Sequence, residues 1–202
     1  MTFLRSALAA SVMVAAIAHA DDAKLEITVQ RAVHVCAACH GEDGRSPTGS
    51  NPSLAGQMPL YVIAQLKDFR SQTRAESDVQ AYMWGVSALL DDAMIQGLAE
   101  YFASQTPSPG KPGDAKLIAE GRSIFRDGIA ARGVRACAGC HGANAEGASV
   151  FPRLAGQNAD YVLREFQVFS TRLRPHGVLM KNEITNMTAL EERAVAEYVQ
   201  SQ

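Results

Sequence analysis

The chain has 202 residues, of which 47% are hydrophobic, 20% charged and 6% aromatic, which excludes a disordered tail and a multi-span membrane protein. Its 19 basic side chains face 21 acidic ones, a formal net charge of −2, so no basic excess exists for sequence-independent binding of nucleic acid. That length accommodates one large domain or two of about 100 residues.

Residues 1–20 read as a secretory leader. Arg5 is the only charge ahead of an Ala-rich apolar run from Ala7 to Ala18, and Ala18-His19-Ala20 supplies an A-x-A cleavage site before Asp21-Asp22. The run is too short for a membrane anchor, because a spanning helix needs about 20 apolar residues. Cleavage after Ala20 leaves 182 residues with no further long apolar stretch, so the mature chain is expected to be soluble outside the cytoplasm, with no membrane span.

Lys24 to Val35 is a candidate helix, weakened by the β-branched Ile27, Thr28 and Val29. It leads into Cys36-Ala37-Ala38-Cys39-His40, and the other two cysteines stand in Cys137-Ala138-Gly139-Cys140-His141. Two local disulfides, a thioredoxin-like pair or a zinc site gathered from both clusters would use these cysteines. The first two leave the His that follows both times unexplained, and a zinc site, which needs four ligands from both clusters, leaves the repeat described below unexplained. C-x-x-C-H is the attachment pattern of a c-type haem. Two thiols one helical turn apart reach the two vinyl groups on one haem edge, and the adjacent His40 or His141 turns its imidazole to the iron as proximal ligand.

Beyond the first motif the chain begins to repeat. Pro52-Ser53-Leu54-Ala55-Gly56-Gln57 returns as Pro152-Arg153-Leu154-Ala155-Gly156-Gln157, 100 residues on, against 101 for the cysteines. Tyr61-Val62 returns as Tyr161-Val162, Phe69 as Phe169, and Tyr101 as Tyr198. Two tandem copies of one module account for this. Pro52 and Pro152 follow the proximal His by twelve and eleven residues. A carbonyl there would accept the second ring N–H, with Leu54 and Leu154 packed on the haem; the competing role is a plain turn before a helix. Val62, Leu66 and Phe69 share one helical face, copied by Val162, Phe166 and Phe169.

Met83 and Met180 each precede the matched tyrosine of their copy by 18 residues. Gap-filling is the competing role for any methionine, but the matched spacing favours a sixth ligand, since a thioether suits haem iron. Met94, inside a helix stripe, and Met187, in the place of Leu90, are expected in the core, and Met58 has no Met partner because Asn158 replaces it. His176, between Pro175 and Gly177, is the rival ligand in the second copy and otherwise a solvated loop side chain. His34 reads as a surface or core residue. Trp84, beside Met83, either shields that haem from water or simply packs.

Asp91 opens a helical run with Met94, Ile95, Leu98, Tyr101 and Phe102 on one stripe. Its counterpart opens at Thr188, where Glu191 completes a capping box. Between the copies, residues 106–113 (TPSPGKPG) exclude helix and favour an extended linker. Ala115 to Arg126 is the first helix of the second copy. The fold expected is all-α, with domains at 21–105 and 114–202. Modules of about 85 to 90 residues are marginal on their own apolar cores, and a haem at the centre of each would supply what the chain lacks.

These residues resemble the class I c-type cytochromes, and more closely the dihaem cytochrome c4 family. The similarity spans the mature chain: both C-x-x-C-H motifs, both P-x-L-A-G-Q segments with a following Tyr, and both Met–Tyr spacings with terminal Y-F-A-S-Q and Y-V-Q-S-Q. The resemblance implies two tandem cytochrome c domains related by pseudo-twofold symmetry, each a small helical fold around one covalently attached haem c. The two haems would lie near the domain interface with propionates facing. It also implies His/Met ligation, a periplasmic location and electron delivery towards a terminal oxidase. Partners would be redox proteins: a membrane oxidase, a cytochrome bc1-type complex or a dehydrogenase.

Members of that family usually place a Gly in the first helix of each module. Gly121 fits, whereas Thr28, Val29 and Gln30 stand there in the first copy, which implies a wider helix contact or a looser module. Arg126 to Arg135 forms a lead-in to the second motif absent from the first, either a partner-docking element or a length variation. The function expected is electron transfer without bond chemistry, with no catalytic residue. The alternative is a haem subunit of a periplasmic dehydrogenase such as a sulfide-oxidising flavocytochrome. A dihaem peroxidase would need an open or exchangeable site on one iron, where both copies offer a Met.

Overall fold

The computed structural model describes residues 23–75 and 80–202, so the leader and its cleavage after Ala20 lie outside the described residues. Among the described residues the regular structure is helical, and extended pairing is limited to the isolated bridges Ile129–Val134 and Ala148–Phe151. In module 1, helix α1 spans 23–40, α2 Pro59–Arg70, α3 Gln80–Ser87 and α4 Asp92–Ser104. In module 2, α5 spans Ala115–Asp127, α6 Ala138–His141, α7 Ala159–Phe169, α8 Val178–Ile184 and α9 Ala189–Gln200.

Helix α1 runs beyond Val35 through both cysteines to His40. Its β-branched residues do not stop it, because Val29 and Val33 are buried against Ile95, Leu98 and Phe102 of α4. Tertiary burial outweighs their weak helix propensity. The last helices start where the capping chemistry places them. The Asp91 carboxylate accepts from Met94 N at 2.8 Å, and Thr188 with Glu191 forms the full capping box of α9. Proline 59 opens α2, where its missing N–H costs nothing.

In each module the first helix crosses the last at close range, but the small residue is on opposite helices. A Cβ on Gly121 of α5 would strike the Ala194 carbonyl and lie 2.8 Å from Tyr198 Cβ on α9. In module 1 the glycine is Gly97 on α4, where a Cβ would lie 2.6 Å from Val29 Cγ2. This agrees with a wider contact in the first module: the Val29 side chain fills the space at Gly97, where module 2 brings the α9 backbone itself against Gly121.

The segment between the modules is extended and docked. Gly56 (φ +66°) lies against Pro107, and Gly156 (φ +76°) lies against the Ser108 carbonyl. Each glycine combines a left-handed backbone with a contact that a Cβ would fill. Lys111 N donates to Gln200 O at 2.9 Å.

Candidate haem sites

His40 ends α1 and His141 ends the single turn α6, so helical backbone fixes the direction of both imidazoles. Both rings are buried, 9% and 5% exposed. His40 Nδ1 lies 2.9 Å from Pro52 O, and His141 Nδ1 lies 2.9 Å from Pro152 O. A carbonyl only accepts, so Nδ1 carries the proton and Nε2 is left bare. Burial pushes the pKa of both histidines down, outweighing the opposing effect of the carbonyl, so the rings stay neutral. A neutral imidazole with Nδ1–H held by a carbonyl presents a lone pair on Nε2, the form that binds a metal.

The cysteines of each motif stand beside that histidine, Cys36 and Cys39 on α1, Cys137 and Cys140 around α6, with no disulfide between them. Cys36 and Leu54 border the apolar cluster of module 1. Cys137, Leu154 and Met180 border that of module 2. Met180 is half-buried in α8, and Met83 is half-buried in α3. Met94 is buried in α4 and Met187 packs on the second cluster, as their core roles require.

The remaining candidates take other partners. His176 is exposed, in the 3-10 turn Pro175–Gly177, and its Nδ1 lies 2.9 Å from the Asp68 carboxylate of the other module. His34 is on the surface. Trp84 is half-buried and donates Nε1–H to Arg74 O at 2.7 Å. The lead-in to Cys137 is strapped to its own module: Arg132 pairs with Glu191, Arg135 with Glu183, and Asn186 donates to Arg132 O.

The modules meet through residues that the sequence reading did not assign. Gln57 donates to Arg153 O at 3.0 Å and accepts from Arg153 N at 2.7 Å. Gln157 repeats this on Ser53, donating to its O at 2.9 Å and accepting from its N at 2.8 Å. Contacts that return with the copies exchanged are the mark of a twofold relation. Nearby, the buried Glu165 carboxylate pairs with Arg74 and Arg174, and both guanidiniums donate to Gln65 Oε1. Arg74 lies over Phe69 and Arg174 over Phe169, with guanidinium-to-centroid distances of 4.5 and 4.4 Å. The 100-residue offset of Arg74 and Arg174, and of Gln65 and Glu165, was the available signal.

The donor set fits a haem in each module. One bare imidazole nitrogen, two thiols a helical turn apart and a thioether further along are what a covalently attached porphyrin takes. Among the described residues no group of three or more His, Cys, Asp or Glu side chains is gathered for an ion.

The cytochrome c family pattern matches the chain twice, at residues 29–106 and 118–202. The chain is 40% identical over 172 residues to cytochrome c4 of Thiocapsa roseopersicina, covering 82% of this chain and 86% of that one. It is 38% identical to cytochrome c-552 of Acidithiobacillus ferridurans, covering 82% of this chain and 73% of that protein. The solved cytochrome c4 of Acidithiobacillus ferrooxidans superposes with a TM-score of 0.74 at 36% identity, over 83% of this chain and 98% of that one. A thiosulfate dehydrogenase electron acceptor of Thiomonas intermedia is 34% identical, over 83% of this chain and 78% of its own.

Proposed function

The chain belongs to the dihaem cytochrome c4 family, and from that premise we propose that it carries single electrons between respiratory partners in the periplasm, towards a terminal oxidase. As a dihaem electron-transfer cytochrome it has two cytochrome c domains and two covalently bound haem c groups. Among the described residues no helix is long and apolar enough to cross a membrane.

In this reading Cys36 and Cys39 attach one haem and Cys137 and Cys140 the other. His40 and His141 would bind the irons through Nε2, and Met83 and Met180 would supply the second ligand of each. Domain 1 then takes in residues 21–105, domain 2 residues 114–202, with 106–113 between. The observation that carries this reading is the paired Nδ1 contact to Pro52 and Pro152, which commits both imidazoles to one tautomer and direction. A bound haem supplies a reversible one-electron change at its iron. The protein's part is to orient the imidazole, present the thioether and exclude water with Leu54, Leu154 and the apolar clusters. No side chain need move a proton or attack a bond.

The similarity to a thiosulfate dehydrogenase electron acceptor favours a second reading, in which the donor is a periplasmic dehydrogenase that holds this chain as its haem subunit. Purification separates the two, because a subunit travels with its dehydrogenase and a free carrier does not. Ligation is tested by the optical spectrum of the oxidised protein. Met83→Ala and Met180→Ala are each expected to remove half of the Met–iron charge-transfer band. An unchanged band in either variant overturns that Met as ligand.

A further inference from the structure

The Pro carbonyl that holds each proximal histidine belongs to a peptide unit whose N–H is the next residue's. In module 1 that unit is Pro52–Ser53. Its oxygen accepts from His40 Nδ1 at 2.9 Å, and its N–H donates to Gln157 Oε1 of module 2 at 2.8 Å. In module 2 the unit is Pro152–Arg153. Its oxygen accepts from His141 Nδ1 at 2.9 Å, and its N–H donates to Gln57 Oε1 of module 1 at 2.7 Å.

We propose that Gln57 and Gln157 are crossed tuning residues, each setting the electron-donating strength of the proximal histidine in the other module. The proposal rests on the reading of His40 and His141 as haem ligands. The physical basis is amide resonance. An acceptor on the N–H side draws charge through the peptide onto its carbonyl oxygen, so hydrogen bonds in a chain strengthen one another. A more negative Pro52 oxygen pulls harder on the His40 Nδ1–H and makes that imidazole a stronger donor to iron. A stronger donor favours the oxidised iron and lowers the potential.

The orientation of both glutamines is fixed by their partners. Each Nε2 faces a carbonyl of the opposite module, and each Oε1 faces two N–H groups, the second being Met58 N or Asn158 N. A flipped amide would set donors against donors. Both side chains are 5% exposed, so bulk water does not take their place. An interface clamp needs a peptide of the other module, but not this one. Both copies grip the unit that holds the histidine.

The test uses the full chain with both haems attached. Gln157→Leu removes the acceptor from the Ser53 N–H, and Gln57→Leu removes it from Arg153. A potentiometric titration followed by nuclear resonance reads each haem separately through residues of its own module. Gln157→Leu is expected to raise the potential of the module 1 haem by the equivalent of about a threefold shift in its one-electron equilibrium, roughly 30 mV at 59 mV per decade. The His40 Nδ1–H resonance should move upfield with it, while the module 2 haem moves less. Gln57→Leu should give the mirror image. Equal shifts at both haems, a shift confined to the glutamine's own module, or no shift would overturn the proposal and leave the glutamines as clamps. If a leucine variant fails to fold, Gln157→Glu keeps an oxygen on the Ser53 N–H and should lower the module 1 potential, and a rise would overturn the proposal. Failure of the ligand reading has its own sign: in the reduced unaltered protein neither Nδ1–H resonance would carry a haem ring-current shift.

Discussion

Module 1 lets its first and last helices cross by placing Gly97 on α4 under the Val29 side chain, whereas module 2 places Gly121 on α5 under the Ala194 backbone of α9. One crossing is backbone against a valine methyl and the other is backbone against backbone. The modules differ again at their interface, where Gln65 of module 1 stands opposite Glu165 of module 2 between the same two arginines. A repeat conserves the spacing of its elements, and the residue that supplies the spacing can change sides. At the matched positions 65 and 165 the second copy carries the carboxylate and the first a neutral amide.

The largest expected effect is at Glu165. Glu165→Ala leaves Arg74 and Arg174 together without the carboxylate and should cost about 4 kcal/mol, because a buried pair is broken from one side. Gln65→Ala, at the matching position, removes a neutral acceptor and should cost about 1 kcal/mol. Denaturant unfolding of both variants measures the difference, and similar losses would mean that the two positions are equivalent after all.

Next in size is the helix crossing. Gly121→Ala drives a Cβ into the Ala194 carbonyl, which moves only with α9, and should cost about 3 kcal/mol. Gly97→Ala meets a side chain and gains helix propensity, so its cost should stay near about 1 kcal/mol. Thermal unfolding of the haem-loaded variants ranks them. A reversed order would contradict the account of the swapped glycine. The smallest effect belongs to the lead-in of module 2. Arg132→Ala loses a partly exposed ion pair with Glu191 and should cost less than about 1 kcal/mol. A larger loss would show that the strap carries the local fold.

The parts of this fold governed by local chemistry were legible in the sequence. The C-x-x-C-H spacing, the Asp91 cap, the Thr188–Glu191 box and the His-to-Pro spacing each act within about a dozen residues. The Pro carbonyls stand 2.9 Å from the histidines, where that spacing placed a possible acceptor. The interface was not legible, because Gln57, Gln157 and Glu165 act across 91 to 104 residues of chain with nothing local to mark them. Their repeat offset marked them as matched but not as touching. Gly97 carries no local mark for a related reason: in module 1 the last helix, not the first, supplies the space at the crossing. The expected helix stopped at Val35, before the haem motif, whereas α1 carries the motif itself through to His40; its weak formers Val29 and Val33 are held by burial against α4.

The central claim is that each C-x-x-C-H segment holds its own haem through both thiols. Peptide mass analysis of the exported, protease-digested protein tests it directly. The account predicts one haem mass on the peptide containing Cys36 and Cys39 and one on the peptide containing Cys137 and Cys140. Either peptide found with free thiols or with a disulfide in place of that mass would contradict it.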